Sequence, residues 1–255
     1  MNATARPAST VIILRNATAG PEVLMLKRSG RLGFFPNAWV FPGGRVDSAD
    51  HTAPTVGRAH GLPDADRAFA VAAIRETFEE SGVWMGTGAA SEAFRRELNA
   101  RTATLRDAPE LCADLGRLTY WSRWVTPENE PKRYDTRFFV TVLSGHESKR
   151  ASADQAETVD HCWIRPSDAV DQAEGGAFFM APPTYLTLAE MTDCPSGEAI
   201  VALASKRTIE PIMPKLDVHD GQWTVVLPGD PEHPADRALT TATRAEYKDG
   251  RWHRS

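Results

Sequence analysis

The chain has 255 residues, 42% of them apolar and 25% charged, a balance that suits one large soluble domain with a sizeable core. A formal net charge of −5 leaves no footprint for a polyanion, so no DNA partner is expected, although a local basic loop or a metal still leaves room for a small anion. Three widely spaced cysteines, no signal pattern, no apolar run of the ~20 residues that cross a bilayer and no SKL-type C-terminus lead to the expectation of a cytoplasmic protein with no membrane contact.

In chain order, residues 9–16 and 22–28 are short β-branched and aliphatic runs and read as paired strands. A loop with Gly30, Gly33 and Pro36 follows, then a short strand at Trp39–Phe41 and a Pro-Gly-Gly turn. Residues 48–63 are irregular and polar. A helix starts near Pro63 or Asp64 and runs to Ser81, with Gly82 as its stop. Residues 87–117 read as loosely periodic helix. Strands are expected at 118–127 and 136–144 around the loop "PENEPKRYD", and another at 161–166. Helices are expected at 167–176 and 182–205, then a hairpin turning on Asp220-Gly221 and a Pro-rich tail. Strands around interspersed helices mean α/β or α+β; strand order is not legible.

The helix "AAIRETFEESGV" carries the chemistry. At 3.6 residues per turn Val71, Ile74 and Phe78 form one apolar stripe, with Glu76, Glu79 and Glu80 nearly opposite and Ala72 and Ala73 beside them. Like charges three and four apart repel, and the C-terminal end of a helix disfavours anions. A solvated amphipathic face is the plain reading. A divalent cation is the other, because hard cations take carboxylate oxygens and would reverse both penalties.

Together with "FPGGRVD", the stretch "RETFEESGV" resembles the Nudix box, G-x5-E-x7-R-E-U-x-E-E-x-G-U, where U is a bulky aliphatic residue. Gly44 opens it, and Arg75, Glu76, Glu79, Glu80, Gly82 and Val83 match its second half; Thr77 stands at U. Thirty residues, 45–74, stand where the box has thirteen, an insertion of seventeen. The box glutamate six positions after Gly44 is Asp50 here, and counting back from Arg75 gives Arg67, so Asp47 and Asp50 stay open as candidates.

The resemblance implies a single Nudix domain over 1–255. It would be an α/β/α sandwich around a mixed sheet, with its core at about 9–175 and a helical and hairpin extension at about 176–255. It also implies metal-dependent hydrolysis of a diphosphate linked to a group X. Glu76, Glu79 and Glu80 would hold Mg²⁺ or Mn²⁺, Glu76 and Glu79 would act in catalysis with Arg75 orienting them, and Gly43 and Gly44 would supply close backbone. A later acid, Glu157 or Asp160, would complete the site; surface acids beside a strand are the alternative.

Residues 123–140 place Lys132, Arg133 and Arg137 around Tyr134, which suits a phosphate and a base; a solvated hairpin loop fits equally. Trp124-Val125-Thr126-Pro127, Arg133–Phe139 and Leu227-Pro228-Gly229-Asp230 resemble the peroxisomal-type coenzyme A diphosphatase branch. That branch implies CoA or acyl-CoA as the small-molecule substrate, giving 3′,5′-ADP and (acyl-)4′-phosphopantetheine. The alternatives are ADP-ribose, a dinucleotide, NADH or an RNA 5′ end, or a non-catalytic ligand sensor, which the retained glutamates and lack of a basic recognition helix disfavour. Tyr185 would reach ligand if its helix faced the site, and a homodimer stays open.

Overall fold

Alternation along the first strand decides the layering. In β1 (Arg6–Ala17) Val11 and Ile13 enter one apolar cluster and Ile12 and Leu14 the other, as a period of two requires. β2 (Gly20–Arg28) repeats the division, with Leu24 and Leu26 on the first side and Val23 and Met25 on the second. A sheet buried on both faces needs a layer on each side, which is what the computed structural model shows for the residues it describes, 3–31 and 35–254. Gly33 of the expected loop lies outside them.

The elements continue as β3 (Trp39–Val40), β4 (Gly43–Arg45), β5 (Thr55–Val56), α1 (Arg67–Ser81) and α2 (Glu92–Asn99). Next come β6 (Ala113–Asp114), β7 (Thr119–Val125), β8 (Tyr134–Val142), α3 (Gly145–Ser148), β9 (Thr158–Ile164), α4 (Pro166–Glu174), α5 (Pro182–Ala189) and α6 (Gly197–Ala204). The chain ends through β10 (Pro211–Ile212), β11 (Lys215–His219), β12 (Gln222–Val226), β13 (Arg244–Lys248) and β14 (Arg251–Arg254).

The main sheet runs β10-β7-β8-β1-β2-β3, with β4 on β1 and β9 on β2. It is mixed: β1 and β8 are parallel over Arg6↔Tyr134 to Leu14↔Val142, and β10 is parallel to β7. β1 and β2 pair only near their hairpin and then part, β1 to β4 and β2 to β3. The segment linking β3 to β4 fills that fork, where Val11 N–H donates to the Pro42 carbonyl at 2.9 Å. α1 and α2 cover one face; α4 to α6 and the C-terminal sheet β11-β12-β13-β14 cover the other. That sheet shares the second core through Val225, Ala245 and Trp252, whose Nε1 donates to the Met180 carbonyl at 3.0 Å. Among the described residues no helix is long and apolar enough to cross a membrane.

Three readings of the sequence change. Residues 87–117 hold one short helix: Ser91 caps α2, its Oγ accepting from Phe94 N–H, and a left-handed Arg101 (φ 57°) ends it. There Thr102 N–H reaches the Glu97 carbonyl at 3.0 Å and Arg101 N–H the Leu98 carbonyl at 2.9 Å, a Schellman stop. The 182–205 helix is two, because Pro195 cannot continue the first and Ser196 caps the second. The Pro-rich tail continues into β13 and β14, which turn on Asp249-Gly250 with φ of 51° and 79°. It is the same device as Asp220-Gly221, at 49° and 76°.

α1 follows a 3₁₀ turn at Asp64–Asp66 and buries Val71, Ile74 and Phe78, as its stripe requires. It has no broad solvated face: Ala72, Ala73, Arg75, Thr77 and Glu80 are buried as well. Thr77, where the box has an aliphatic residue, is wholly buried and its Oγ1 has no partner among the described residues. An unsatisfied buried hydroxyl costs about 1–3 kcal/mol. Thr77→Val is therefore expected to raise the unfolding free energy in urea by about 1 kcal/mol; a loss of stability would show that the hydroxyl is satisfied after all.

Candidate active site

The helix that carries the glutamates ends inside the protein, so its last carbonyls need partners. Gly82 closes it in the left-handed region (φ 71°), its N–H on the Phe78 carbonyl at 2.9 Å. Arg95 Nε and Asn99 Nδ2 of α2 donate to the Glu79 carbonyl at 2.9 and 3.2 Å, Ser81 Oγ donates to the Thr77 carbonyl, and Ser152 N–H to that of Ser81. Arg95 is a buried cation at the negative end of the helix dipole, where cations are favoured. Nothing in the sequence singled it out beyond a basic residue in a short amphipathic stretch.

Arg75 is the centre of the side-chain arrangement and is 6% exposed. Its Nε and Nη2 grip both oxygens of Asp50 at 2.9 Å, Nη2 also reaches the Arg45 carbonyl at 2.9 Å, and Nη1 donates to Glu76 Oε1 and Glu79 Oε1 at 3.0 Å each. Burial alone would lower its pKa; the Asp50 hydrogen bonds and the charges of Glu76, Asp50 and Glu79 outweigh that and hold it well above its ordinary value. Asp50, 1% exposed, also accepts the Asp47 N–H at 2.8 Å. The open question at this position thus has a geometric answer: Asp50 anchors the arginine. Arg67, the other register, instead ties down the inserted segment through the His51 and Ala53 carbonyls and Thr55 Oγ1.

Both glycines of the turn are needed for close approach. A Cβ on Gly44 would lie 2.4–2.5 Å from the Glu76 carboxylate, and one on Gly43 would lie 2.2 Å from Thr10 Oγ1. Gly43 N–H donates to Glu80 Oε2 at 2.9 Å. Burial pushes the Glu76 carboxyl up to about 7, with Arg75 pulling it down and Glu79 adding repulsion. Burial also raises Glu79, against the pull of Arg75. Glu80 is held well above its usual range by burial and by Glu76, with the Gly43 N–H opposing.

A cavity of about 290 Å³ is lined by Asp47, Asp50, Arg75, Glu76, Glu79 and Glu157, among others. Glu157 is thus brought to the cluster. Asp160 is not: it sits on β9 opposite Lys27 and accepts the neighbouring His161 N–H. The loop basics are drawn elsewhere. Arg137 is buried, bonded to Asp135 and Asp66 and stacked over Phe69 at 4.2 Å, because strand alternation turns it inward. Arg133 donates to the Thr126 and Ala3 carbonyls and braces its hairpin. These bonds already engage both guanidinium groups, so neither is carried forward as a phosphate ligand. Tyr134 lines a cavity. Tyr185 is core, stacked on Trp252 with its OH on Glu174.

The residues fit a hard divalent ion by donor chemistry. All are carboxylate oxygens, buried in number beyond what Arg75 offsets, and three are pushed toward protonation as they stand. Among the described residues no three His, Cys, Asp or Glu side chains already converge as a ligand set. Glu76 and Glu79 turn to Arg75, and Glu80 turns to Gly43.

Residues 56–191 match the NUDT19 Nudix domain and residues 4–87 the NUDIX domain. The chain is 29% identical to the acyl-coenzyme A diphosphatase NUDT19 of Gallus gallus, covering 86% of this chain and 74% of that one. The Homo sapiens protein of the same name is 28% identical, over 83% and 72%. The crystal structure of a NUDIX hydrolase from Alicyclobacillus acidocaldarius superposes with a TM-score of 0.68 at 28% identity, over 78% of this chain and 96% of that one.

Removing one partner of a buried ion pair costs about 3–5 kcal/mol. Asp50→Ala is expected to cost about 3 kcal/mol in urea unfolding, and distinctly less in an Arg75→Met background. Equal costs in the two backgrounds would show that Asp50 does not act through Arg75.

Proposed function

The chain belongs to the Nudix hydrolases, within the NUDT19 Nudix domain family, and on that premise we propose that it hydrolyses the diphosphate of coenzyme A or acyl-CoA, giving 3′,5′-ADP and (acyl-)4′-phosphopantetheine. One observation carries the substrate reading: the likeness to acyl-coenzyme A diphosphatases runs far beyond the box, over 86% of the chain.

Glu76, Glu79 and Glu80 would hold a divalent ion, Mg²⁺ or Mn²⁺, which when bound neutralises diphosphate oxygens and lowers the pKa of water. The chain's own residues do the rest. Arg75 holds Glu76 and Glu79 in one orientation, and Asp50 holds Arg75. The Gly43 N–H fixes Glu80. Glu157, on the same cavity, takes the proton of the attacking water. Water adds to one phosphorus and the bridging P–O bond breaks, leaving one phosphate on each product. Tyr134, on a neighbouring cavity, contacts the substrate beyond the diphosphate.

Mass spectrometry of products from CoA, acyl-CoA and ADP-ribose, each with Mg²⁺, Mn²⁺ or chelator, tests the proposal. The expected result is metal-dependent release of 3′,5′-ADP from the CoA compounds, abolished in Glu79→Gln. Rapid cleavage of ADP-ribose with none of CoA would overturn the substrate, and full activity of Glu79→Gln would overturn the site.

A further inference from the structure

At the end of α2 an arginine stands where glycine is the usual residue. Ala100 is the C-cap, and Arg101 follows it in the left-handed region (φ 57°), held by the bonds to the Leu98 and Glu97 carbonyls. An L side chain in that conformation crowds its own backbone, which is why glycine is preferred there. Residues kept in such conformations despite the cost cluster at ligand sites.

The neighbours of Arg101 fix where it lies. Leu98 is buried in the same core as Val71, Ile74 and Phe78 of α1, and Asn99 Nδ2 and Arg95 Nε both hold the Glu79 carbonyl. Arg101 is thus two residues from a direct bond to the helix that carries the glutamates. It lines the same cavity of about 290 Å³ as Asp47, Asp50, Glu76, Glu79 and Glu157.

Two cations line that cavity among the described residues, Arg75 and Arg101, and they differ in one respect. Arg75 is buried and every nitrogen of its guanidinium has an acceptor. Arg101 is exposed, and its side chain makes no hydrogen bond or ion pair among the described residues, although five carboxylates share its cavity. A diphosphate entering here brings more negative charge into an acidic cavity. An uncommitted guanidinium suits it, because the planar fork matches two phosphate oxygens at once.

We propose that Arg101 is a substrate-binding residue whose guanidinium takes oxygens of the diphosphate at the carboxylate cavity. The proposal rests on the reading of the chain as a diphosphate hydrolase, and it holds whichever group X is attached. It also explains why the turn keeps an arginine where glycine would be less strained. The competing roles are a partner for the 3′-phosphate of CoA and a purely structural helix stop.

The test compares Arg101→Gly, Arg101→Met and Arg101→Lys with the unmodified chain. The readouts are urea unfolding and kcat/KM on CoA, on dephospho-CoA, which lacks the 3′-phosphate, and on ADP-ribose. Losing a hydrogen bond to a charged group is expected to lower kcat/KM roughly tenfold to a hundredfold in the Gly and Met variants. The loss should be equal on CoA and dephospho-CoA and smaller in the Lys variant, which keeps the charge. Arg101→Gly should unfold at the same or a higher urea concentration than the unmodified chain, since glycine suits the turn. Unchanged kcat/KM in Arg101→Met would overturn the proposal. A loss on CoA that dephospho-CoA does not share would give Arg101 to the 3′-phosphate and overturn it too. A Gly variant clearly less stable than the unmodified chain would make Arg101 a structural stop, again overturning it. If the unmodified chain cleaved none of the three substrates with Mg²⁺ or Mn²⁺, the hydrolase reading would fail and this proposal with it.

Discussion

Everything at this site depends on one buried ion pair. Arg75 is almost wholly out of water, and its guanidinium is shared between Asp50, Glu76, Glu79 and the Arg45 carbonyl. Desolvating such charges is costly unless every donor is met with good geometry. Here each nitrogen of the guanidinium has an acceptor, and that completeness turns a penalty into a positional constraint. The arginine cannot move without leaving a buried charge unpaired, so neither can the glutamates it holds. What it does not offset is the surplus of anions, and that surplus is where a hard divalent ion belongs in the proposed chemistry.

The fold exists around this constraint in specific ways. The fork between β1 and β2 admits the Phe41–Gly44 segment, and glycine at 43 and 44 is what lets backbone lie against Thr10 and the Glu76 carboxylate. The inserted residues after Gly44 are not an idle loop, since they deliver Asp50 to Arg75 and are themselves pinned by Arg67. α2 earns its place at the C-terminal end of α1, where Arg95 and Asn99 satisfy the Glu79 carbonyl. On the other face the C-terminal sheet completes a core around Tyr185 and Trp252 and lines a cavity with Leu216, Trp223 and Val225.

Much of this was legible in the residues, for reasons that are local. The stripe Val71, Ile74, Phe78 and the stop at Gly82 follow from helical period and cap chemistry, and the paired first strands follow from alternation. The Asp220-Gly221 hairpin was readable from its turn; the same signal at Asp249-Gly250 was present but masked by the proline-rich stretch before it. Long-range roles were not legible. Asp50 stood at the right distance from Gly44, yet only the folded chain shows its carboxylate on Arg75. Arg133 and Arg137 looked like a basic loop because adjacent charges in sequence imply nothing about which side of a strand they face; in the fold Arg137 points into the protein against Phe69. Glu157 and Asp160 were indistinguishable three residues apart, and a strand's alternation and bulge send only the first to the cluster.

The central claim is that the buried glutamates of α1 are held by Arg75 as a seat for a divalent ion. Calorimetric titration of Mn²⁺ into the protein and into its Glu76→Gln variant tests it most directly. The account predicts saturable binding to the unmodified chain that is lost or severely weakened in the variant. Equal Mn²⁺ binding by the two proteins would contradict it.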